Sequence, residues 1–191
     1  MKTALISVWD KVGIVSLAQT LIENGYRILS TGGTAKHLSE HNIPAIKIAH
    51  YTEFPEIMGG RVKTLHPKIF GGILARRDHT EDIKHLERIG GYAIDMVVVN
   101  LYPFPDMSKE NLPINELLEY IDIGGVSLIR AAAKNYKNVT ILVDPKDYVK
   151  VEKYIREKKE IPTHLRKKLA VKAFYTTYKY DKVIYEILSS L

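Results

Sequence analysis

Hydrophobic positions along the chain alternate between short continuous apolar runs and longer stretches at helical spacing. Thr3-Ala4-Leu5-Ile6-Ser7-Val8 is the first run, and it predicts a strand. From Gly13 to Asn24, Ile14, Leu17, Ala18, Leu21 and Ile22 share one helical face, which Gly25 closes. Tyr26 to Ser30 predicts a second strand, broken by Thr31-Gly32-Gly33-Thr34. Ala35 to His41 then predicts a helix with Asn42 as its cap, and Ala45 to Ile48 a third strand.

The run from Tyr51 to Arg77 shows neither period and holds four glycines, so it predicts a long functional loop. After it, Asp78 or Thr80 is placed to cap a helix carrying Ile83, Leu86 and Ile89, which Gly90-Gly91 ends. Ile94 to Asn100 is nearly continuous in apolar residues, as a central parallel strand covered on both faces requires. Ile114, Leu117, Leu118 and Ile121 form a short helical face that stops at Asp122-Ile123-Gly124-Gly125. A second helix runs through Leu128, Ile129, Ala132 and Ala133 to Lys134-Asn135. Val139 to Val143 predicts another buried strand. From Pro145 the pattern is helical, with a break near Ile161-Pro162 before a seam from Leu165 to Leu188. Alternating units of this length predict an α/β fold with three layers and a mostly parallel sheet joined by right-handed crossovers. One domain spanning residues 1–191 is expected.

Composition narrows the chemistry. With 191 residues, 46% of them hydrophobic, the chain suffices for one substantial core. No stretch approaches the ~20 apolar residues of a membrane span, and Met1-Lys2-Thr3 leads directly into a strand pattern, so a cytoplasmic protein with no membrane partner is expected. The absence of cysteine excludes disulfides, thiolate metal sites and cysteine nucleophiles. The net charge of +6 raises the question of nucleic acid. Much of that charge lies between Lys146 and Lys182, interleaved with Glu and apolar residues at helical spacing, which describes a solvated helix face. The remaining cations at Arg61, Lys63 and Lys68 stand beside glycines and suit a small phosphorylated ligand.

Ser30-Thr31-Gly32-Gly33-Thr34 sits at a strand-to-helix junction, where free amide groups and the helix dipole favour an anion. It carries neither the Gly-Lys-Ser/Thr of a Walker loop nor a Gly-x-Gly-x-x-Gly fingerprint, and a glycine turn capped by Thr34 fits the same residues. Gly60 to Lys68 supplies the several fixed donors that a phosphate or a developing oxyanion needs, while His66 before Pro67 fits loop ordering better than catalysis. Tyr102 follows the carboxyl end of the expected central strand, where ligands gather in open α/β sheets, although a core aromatic fits as well. Asp122 is either an acid–base group or the residue that ends one helix and caps the next. No His/Asp/Glu cluster has metal-ligand spacing and no nucleophile elbow is present. These residues point to acid–base chemistry on a phosphorylated molecule, and composition and spacing carry the inference no further.

The motifs Ser7-Val8-Trp9-Asp10-Lys11, Ser30 to Lys36, Gly60 to Lys68 with Gly71 to Arg76, Val98 to Phe104, Asp122 to Gly125, Arg130 to Asn135 and Leu169 to Phe174 together resemble inosine monophosphate cyclohydrolase. The resemblance runs in order from residue 4 to the end. It implies a methylglyoxal-synthase-like fold and the last step of purine synthesis, dehydrative closure of 5-formamidoimidazole-4-carboxamide ribotide to inosine monophosphate. It further implies no metal or organic cofactor, a small ribonucleotide as the partner rather than nucleic acid, and a homodimer. Most family members fuse this domain to a larger transformylase domain, so a stand-alone cyclohydrolase or an excised domain is expected.

Carried over position by position, the resemblance assigns catalysis to Lys63, Tyr102, Asp122 and Lys134. Substrate binding falls to Asp10, Lys11, Ser30, Thr31, Gly32, Gly33, Thr34, Arg61, Val62 and Thr64, and around the base to Val99, Asn100, Ile123, Gly124 and Gly125. One position departs from the family: its common Ser-Val-Ser-Asp-Lys is here Ser-Val-Trp-Asp-Lys, so Trp9 offers a ring where a hydroxyl is usual. One distance also strains the assignment. A continuous helix from Asp122 to Lys134 would separate them by roughly 18 Å, so the helix is expected to begin near Val126, or Lys134 to come from a dimer neighbour. The alternatives are a methylglyoxal synthase, the effector-binding domain of a carbamoyl-phosphate synthetase, and an RNA-binding module. The first two share the phosphate loop, and the third predicts steep salt dependence of binding.

Overall fold

A computed structural model describes residues 1–110 and 112–190, so Asn111 and the last residue of the expected domain span, Leu191, lie outside it. The first apolar run forms β1 (Lys2–Val8), and the amphipathic stretch after it forms α1 (Ile14–Glu23) with Ile14, Leu17, Ala18 and Leu21 buried. There follow β2 (Tyr26–Ser30), α2 (Gly32–Glu40) and β3 (Ile46–Lys47). The third strand is shorter than its pattern suggests, because Ile48 already opens a five-residue helix, α3 (Ile48–Thr52), that buries Ile48 and Tyr51.

The expected long loop is divided. Residues 53–66 are irregular apart from a single helical turn at Met58–Gly60, but Pro67–Leu74 is a helix, α4, that buries Ile69 and Ile73. Pro67 at its first position fixes φ where no N–H is needed, and His66 caps it, its Nδ1 accepting from the Lys68 amide at 3.1 Å. Gly72 lets this helix meet the chain ahead of the next strand, since a Cβ there would lie 2.4 Å from the Tyr92 carbonyl oxygen. α5 (Thr80–Arg88) starts after His79 rather than after a side-chain cap from Asp78 or Thr80. Then come β4 (Met96–Asn100), α6 (Phe104–Met107), α7 (Ile114–Leu118), α8 (Gly124–Lys134), β5 (Thr140–Leu142), α9 (Tyr148–Arg156) and α10 (Thr163–Leu188).

The five strands lie in the order β3-β2-β1-β4-β5 and every pairing is parallel. The sheet is therefore fully rather than mostly parallel, with three layers. α1 packs on β2 and α9, whereas α8 packs on β4, β5, α4 and α10. Covered from both faces, Ala4, Leu5, Ile6, Val97, Val98, Ile141 and Leu142 are fully buried. That burial explains the unbroken apolar runs of the sequence, because neither face of these strands meets water.

Candidate functional site

After β1 the chain steps towards β2 and β3, and after β4 it steps the other way to β5. The two strands on either side of this reversal pair in parallel with Val8 opposite Asn100. Connections leave their carboxyl ends in opposite directions and open a crevice there, where ligands of such sheets bind. A cavity of about 540 Å³ occupies it, large enough for one small ligand. Its wall draws on the end of β1, the start of α2, residues 59–64, the end of β4 and the segment joining α7 to α8.

α2 begins at Gly32, three residues before the expected start, so Gly32, Gly33 and Thr34 form its first turn. A helix cannot satisfy the amides of its first turn internally, and here they stand at the cavity with Thr31, Gly33 and Thr34 on its wall. Thr34 is no helix cap. Its buried hydroxyl accepts from the Val8 amide at 3.1 Å and donates to the Val8 carbonyl at 3.0 Å, fixing α2 to β1. The Thr31 hydroxyl bonds that of Ser7 at 3.0 Å. Lys11 donates to the carbonyls of Val8 and, at 3.1 Å, of Trp9, and burial lowers the pKa of its ammonium. The Asn100 side chain holds the same turn: its Oδ1 accepts from the amides of Trp9 (2.5 Å) and Asp10 (2.9 Å), and its Nδ2 donates to the Asp10 carbonyl at 2.9 Å.

Opposite, Arg61, Lys63 and Thr64 line the cavity from the loop before α4. Arg61 is exposed and forks onto Glu119, which follows α7, with Nε donating to Oε2 at 3.2 Å and Nη2 to Oε1. The guanidinium keeps the Glu119 carboxyl below its ordinary range. Lys63 and the Glu56 carboxylate flank Gly60: a Cβ there would lie 3.5 Å from the Lys63 ammonium and 3.7 Å from a Glu56 oxygen.

Asp122 ends the third wall. Its Oδ1 accepts from the Gly125 amide at 2.6 Å, so the helix-capping reading holds and the residue lines the cavity as well. Glycines are required beside it: a Cβ on Gly125 would lie 2.5 Å from the Asp122 carboxylate, and one on Gly124 2.7 Å from the Thr64 hydroxyl. From α10, the Tyr180 hydroxyl accepts from the Asp122 amide at 3.0 Å and donates to the Tyr120 carbonyl at 2.9 Å. Burial raises the pKa of Asp122, while the Gly125 amide, the Tyr102 backbone and the Lys63 charge pull the other way.

Lys63, Tyr102 and Asp122 thus share one cavity with Lys11, Thr31, Gly33, Thr34, Arg61, Thr64, Asn100, Ile123, Gly124 and Gly125. Lys134 does not join them within one subunit. α8 begins at Gly124 instead of near Val126, and about 15 Å of helix carries Lys134 away to an exposed position. Ser30 is buried with its hydroxyl donating to the Ile6 carbonyl, and the Val99 side chain belongs to the core, so neither side chain is available to a ligand. Val62 pairs through its backbone with Ile57, Gly32 stands at the helix start outside the wall, and the Asp10 carboxylate accepts from the Val12 amide. Lys68 is directed away, to the Tyr51 carbonyl and Glu53. Ser7, Trp9 and Glu119 line the cavity as well, although none of them was assigned a site role from the sequence, where Trp9 stood out only as a departure. For Ser7 and Trp9 the signal existed, since both sit at the carboxyl end of the first strand; the helical period gave none for Glu119. Among the described residues no group of three or more His, Asp or Glu is placed to hold a metal ion, and no helix is long and apolar enough to cross a membrane.

The MGS-like domain family matches residues 13–127, and the AICARFT/IMPCHase bienzyme family matches residues 132–191. The bifunctional purine biosynthesis protein PurH of Thermoanaerobacter sp. (strain X514) is 55% identical over 188 residues, covering 98% of this chain and 37% of that protein. PurH of Persephonella marina is 50% identical, covering 98% of this chain and 36% of that protein. The chain thus spans a little over a third of the length of these curated relatives. A crystal structure of ForH superimposes with a TM-score of 0.85 at 34% identity, covering 98% of both chains.

The raised pKa of Asp122 has a consequence for stability. Below the ordinary carboxylate pKa of about 4 the group is neutral whether folded or unfolded, and it costs nothing. As pH climbs through that value towards the higher folded one, the unfolded chain ionises first and stability is lost. Asp122→Asn removes this loss. Urea denaturation should therefore show the variant gaining on the parent as pH rises from about 4, with a plateau above the folded pKa. A difference independent of pH would contradict a raised Asp122.

Proposed function

Because the chain belongs to the MGS-like domain family, and its C-terminal part matches the AICARFT/IMPCHase bienzyme family, we propose that it is an inosine monophosphate cyclohydrolase. It closes 5-formamidoimidazole-4-carboxamide ribotide to inosine monophosphate with loss of water, in the cytoplasm and with no metal or organic cofactor. The observation that carries this reading is the convergence of Lys63, Tyr102 and Asp122 on the cavity that also holds the first turn of α2. The PurH relatives add support, since their printed name is that of bifunctional purine biosynthesis proteins and the chain corresponds to one portion of them. The fold and the helix start would serve a phospholyase or a nucleotide sensor equally, but a sensor has no use for all three side chains together.

Both reacting groups already stand on one imidazole ring, so the site has to align and polarise rather than assemble them. The carboxamide nitrogen attacks the formyl carbon, forming the new C–N bond as the carbonyl pair moves to oxygen. Asp122, made more basic by burial, accepts the nitrogen's proton. Lys63 and Tyr102 stabilise the developing oxyanion and protonate it to a hydroxyl. The proton taken up by Asp122 then passes to that hydroxyl, the C–O bond breaks and water leaves as the former formamido nitrogen forms the C=N bond and returns its proton to Lys63. The phosphate lies on the amides of Gly33 and Thr34 with Lys11 nearby, and Arg61 and Thr64 hold the ribose side.

Lys134 enters as a proton relay from a second subunit. Its distance from Asp122 within one chain calls for a neighbour, and α10, packed against α8, leaves Val171, Tyr175, Tyr178 and Tyr185 exposed for a homodimer contact.

Purified protein mixed with the formamido ribotide should generate the inosine monophosphate ultraviolet spectrum, and a lack of product would defeat the proposal. Lys63→Ala should lower kcat about 10²–10³-fold, the size of effect seen when one oxyanion donor is lost, with KM changed only about threefold. Unchanged kcat would remove Lys63 from the chemistry. Mixing inactive Lys63→Ala and Lys134→Ala subunits should recover roughly a quarter of normal turnover through heterodimers carrying one intact site. No recovery would contradict the shared site.

A further inference from the structure

Trp9 is the single tryptophan of the chain and none of the roles above uses its ring. The residue lines the cavity together with Lys11 and Tyr102, with 50% of its surface exposed. Its backbone is fixed from two directions, by Asn100 accepting from its amide and by Lys11 donating to its carbonyl. The indole packs edge-on against Tyr102, with ring centroids 5.1 Å apart and planes 68° apart. A large aromatic held this firmly at both backbone and ring, yet left half uncovered inside a concave site, has an apolar surface that gains free energy on being covered.

We propose that Trp9 is a ligand-contacting, specificity-determining residue whose indole is the wall against which the heterocycle of the bound ribotide lies. The inference rests on the nucleotide reading above and identifies which part of the ligand the ring recognises. The amides, hydroxyls and cations of the site serve the phosphate and the reacting polar groups. The indole stands against Tyr102, so its free surface borders the part of the cavity where the reacting groups lie, while Val8 is buried and the hydroxyls of Thr31 and Thr34 are tied to β1. Stacking of a base on an aromatic side chain requires no particular hydrogen-bond pattern and grows with the area of the planar ring. Closing the second ring extends that plane, so the bicyclic product gains more from the indole than a monocyclic imidazole ribotide does. Ribose 5-phosphate, which has no base, gains nothing.

Because all tryptophan emission comes from Trp9, titrations followed by both fluorescence and calorimetry test the proposal directly. Inosine monophosphate should change the emission saturably, with the midpoint that calorimetry gives, a monocyclic imidazole carboxamide ribotide should do so more weakly, and ribose 5-phosphate should bind without effect on it. Trp9→Ser should weaken inosine monophosphate about 5–100-fold while leaving ribose 5-phosphate within about twofold, and Trp9→Phe should retain most of the affinity. Two results would overturn it: inosine monophosphate binding with unaltered emission and unaltered affinity in Trp9→Ser, or an equal loss for both ligands, which marks a brace for the turn that Asn100 and Lys11 hold. A protein that binds ribose 5-phosphate but no inosine monophosphate would remove the cyclohydrolase reading and this proposal together.

Discussion

The parallel pairing of β1 with β4, Val8 against Asn100, is the constraint on which the rest of the molecule depends. Both strands are buried on two faces, so their register is set by the core and not by the site. Their carboxyl ends nevertheless point to the same side, and the chain departs from them in opposite directions. A crevice at that place follows from connectivity alone. What the local sequence adds is the equipment of the crevice: a helix start on one side, a cationic loop on the other, and an aspartate across the end.

Most polar groups around the crevice are occupied in holding one another. Asn100 clamps the Trp9-Asp10 turn, Thr34 ties α2 to β1, and Asp122 caps the start of α8 under the grip of Tyr180. Such a network fixes donors before any ligand arrives, which lowers the reorganisation that a charged transition state would demand. It also sets the electrostatic contrast of the site. Lys11, Lys63 and the start of α2 favour an anion, while burial raises the pKa of Asp122. Arg61 differs, because Glu119 already faces it in solvent, where such a pair is worth little and yields easily to a stronger anion.

The strands, most helices and the cavity's position were legible from periodicity, since continuous apolar runs and helical spacing report burial directly. The helix α4 was not, because its eight residues include two glycines and its cap is a histidine, so propensity argued for a loop where packing of Ile69 and Ile73 decided for a helix. Site residues were legible as a neighbourhood more than one by one. Ser30 and Val99 sit beside residues that reach the cavity, and alternation along a strand turns every second side chain away. Lys134 stands away from Asp122 of its own chain for a similar reason of reach, because α8 starts early enough to carry it out of range. Glu119 gave no local signal, because its partner Arg61 is distant in sequence. Trp9 stood out in the sequence only as a departure, and its place opposite Tyr102 became visible once β1 and β4 were paired.

On the proposed function, the crevice between β1 and β4 seats a ribotide whose phosphate and heterocycle occupy opposite ends. A crystal structure with inosine monophosphate bound tests this most directly. The predicted result places the phosphate on the amides of Gly33 and Thr34, with the purine between Tyr102 and Asp122 and against the indole of Trp9. Nucleotide bound elsewhere, or with its phosphate at Asp122 and its base on α2, would contradict it.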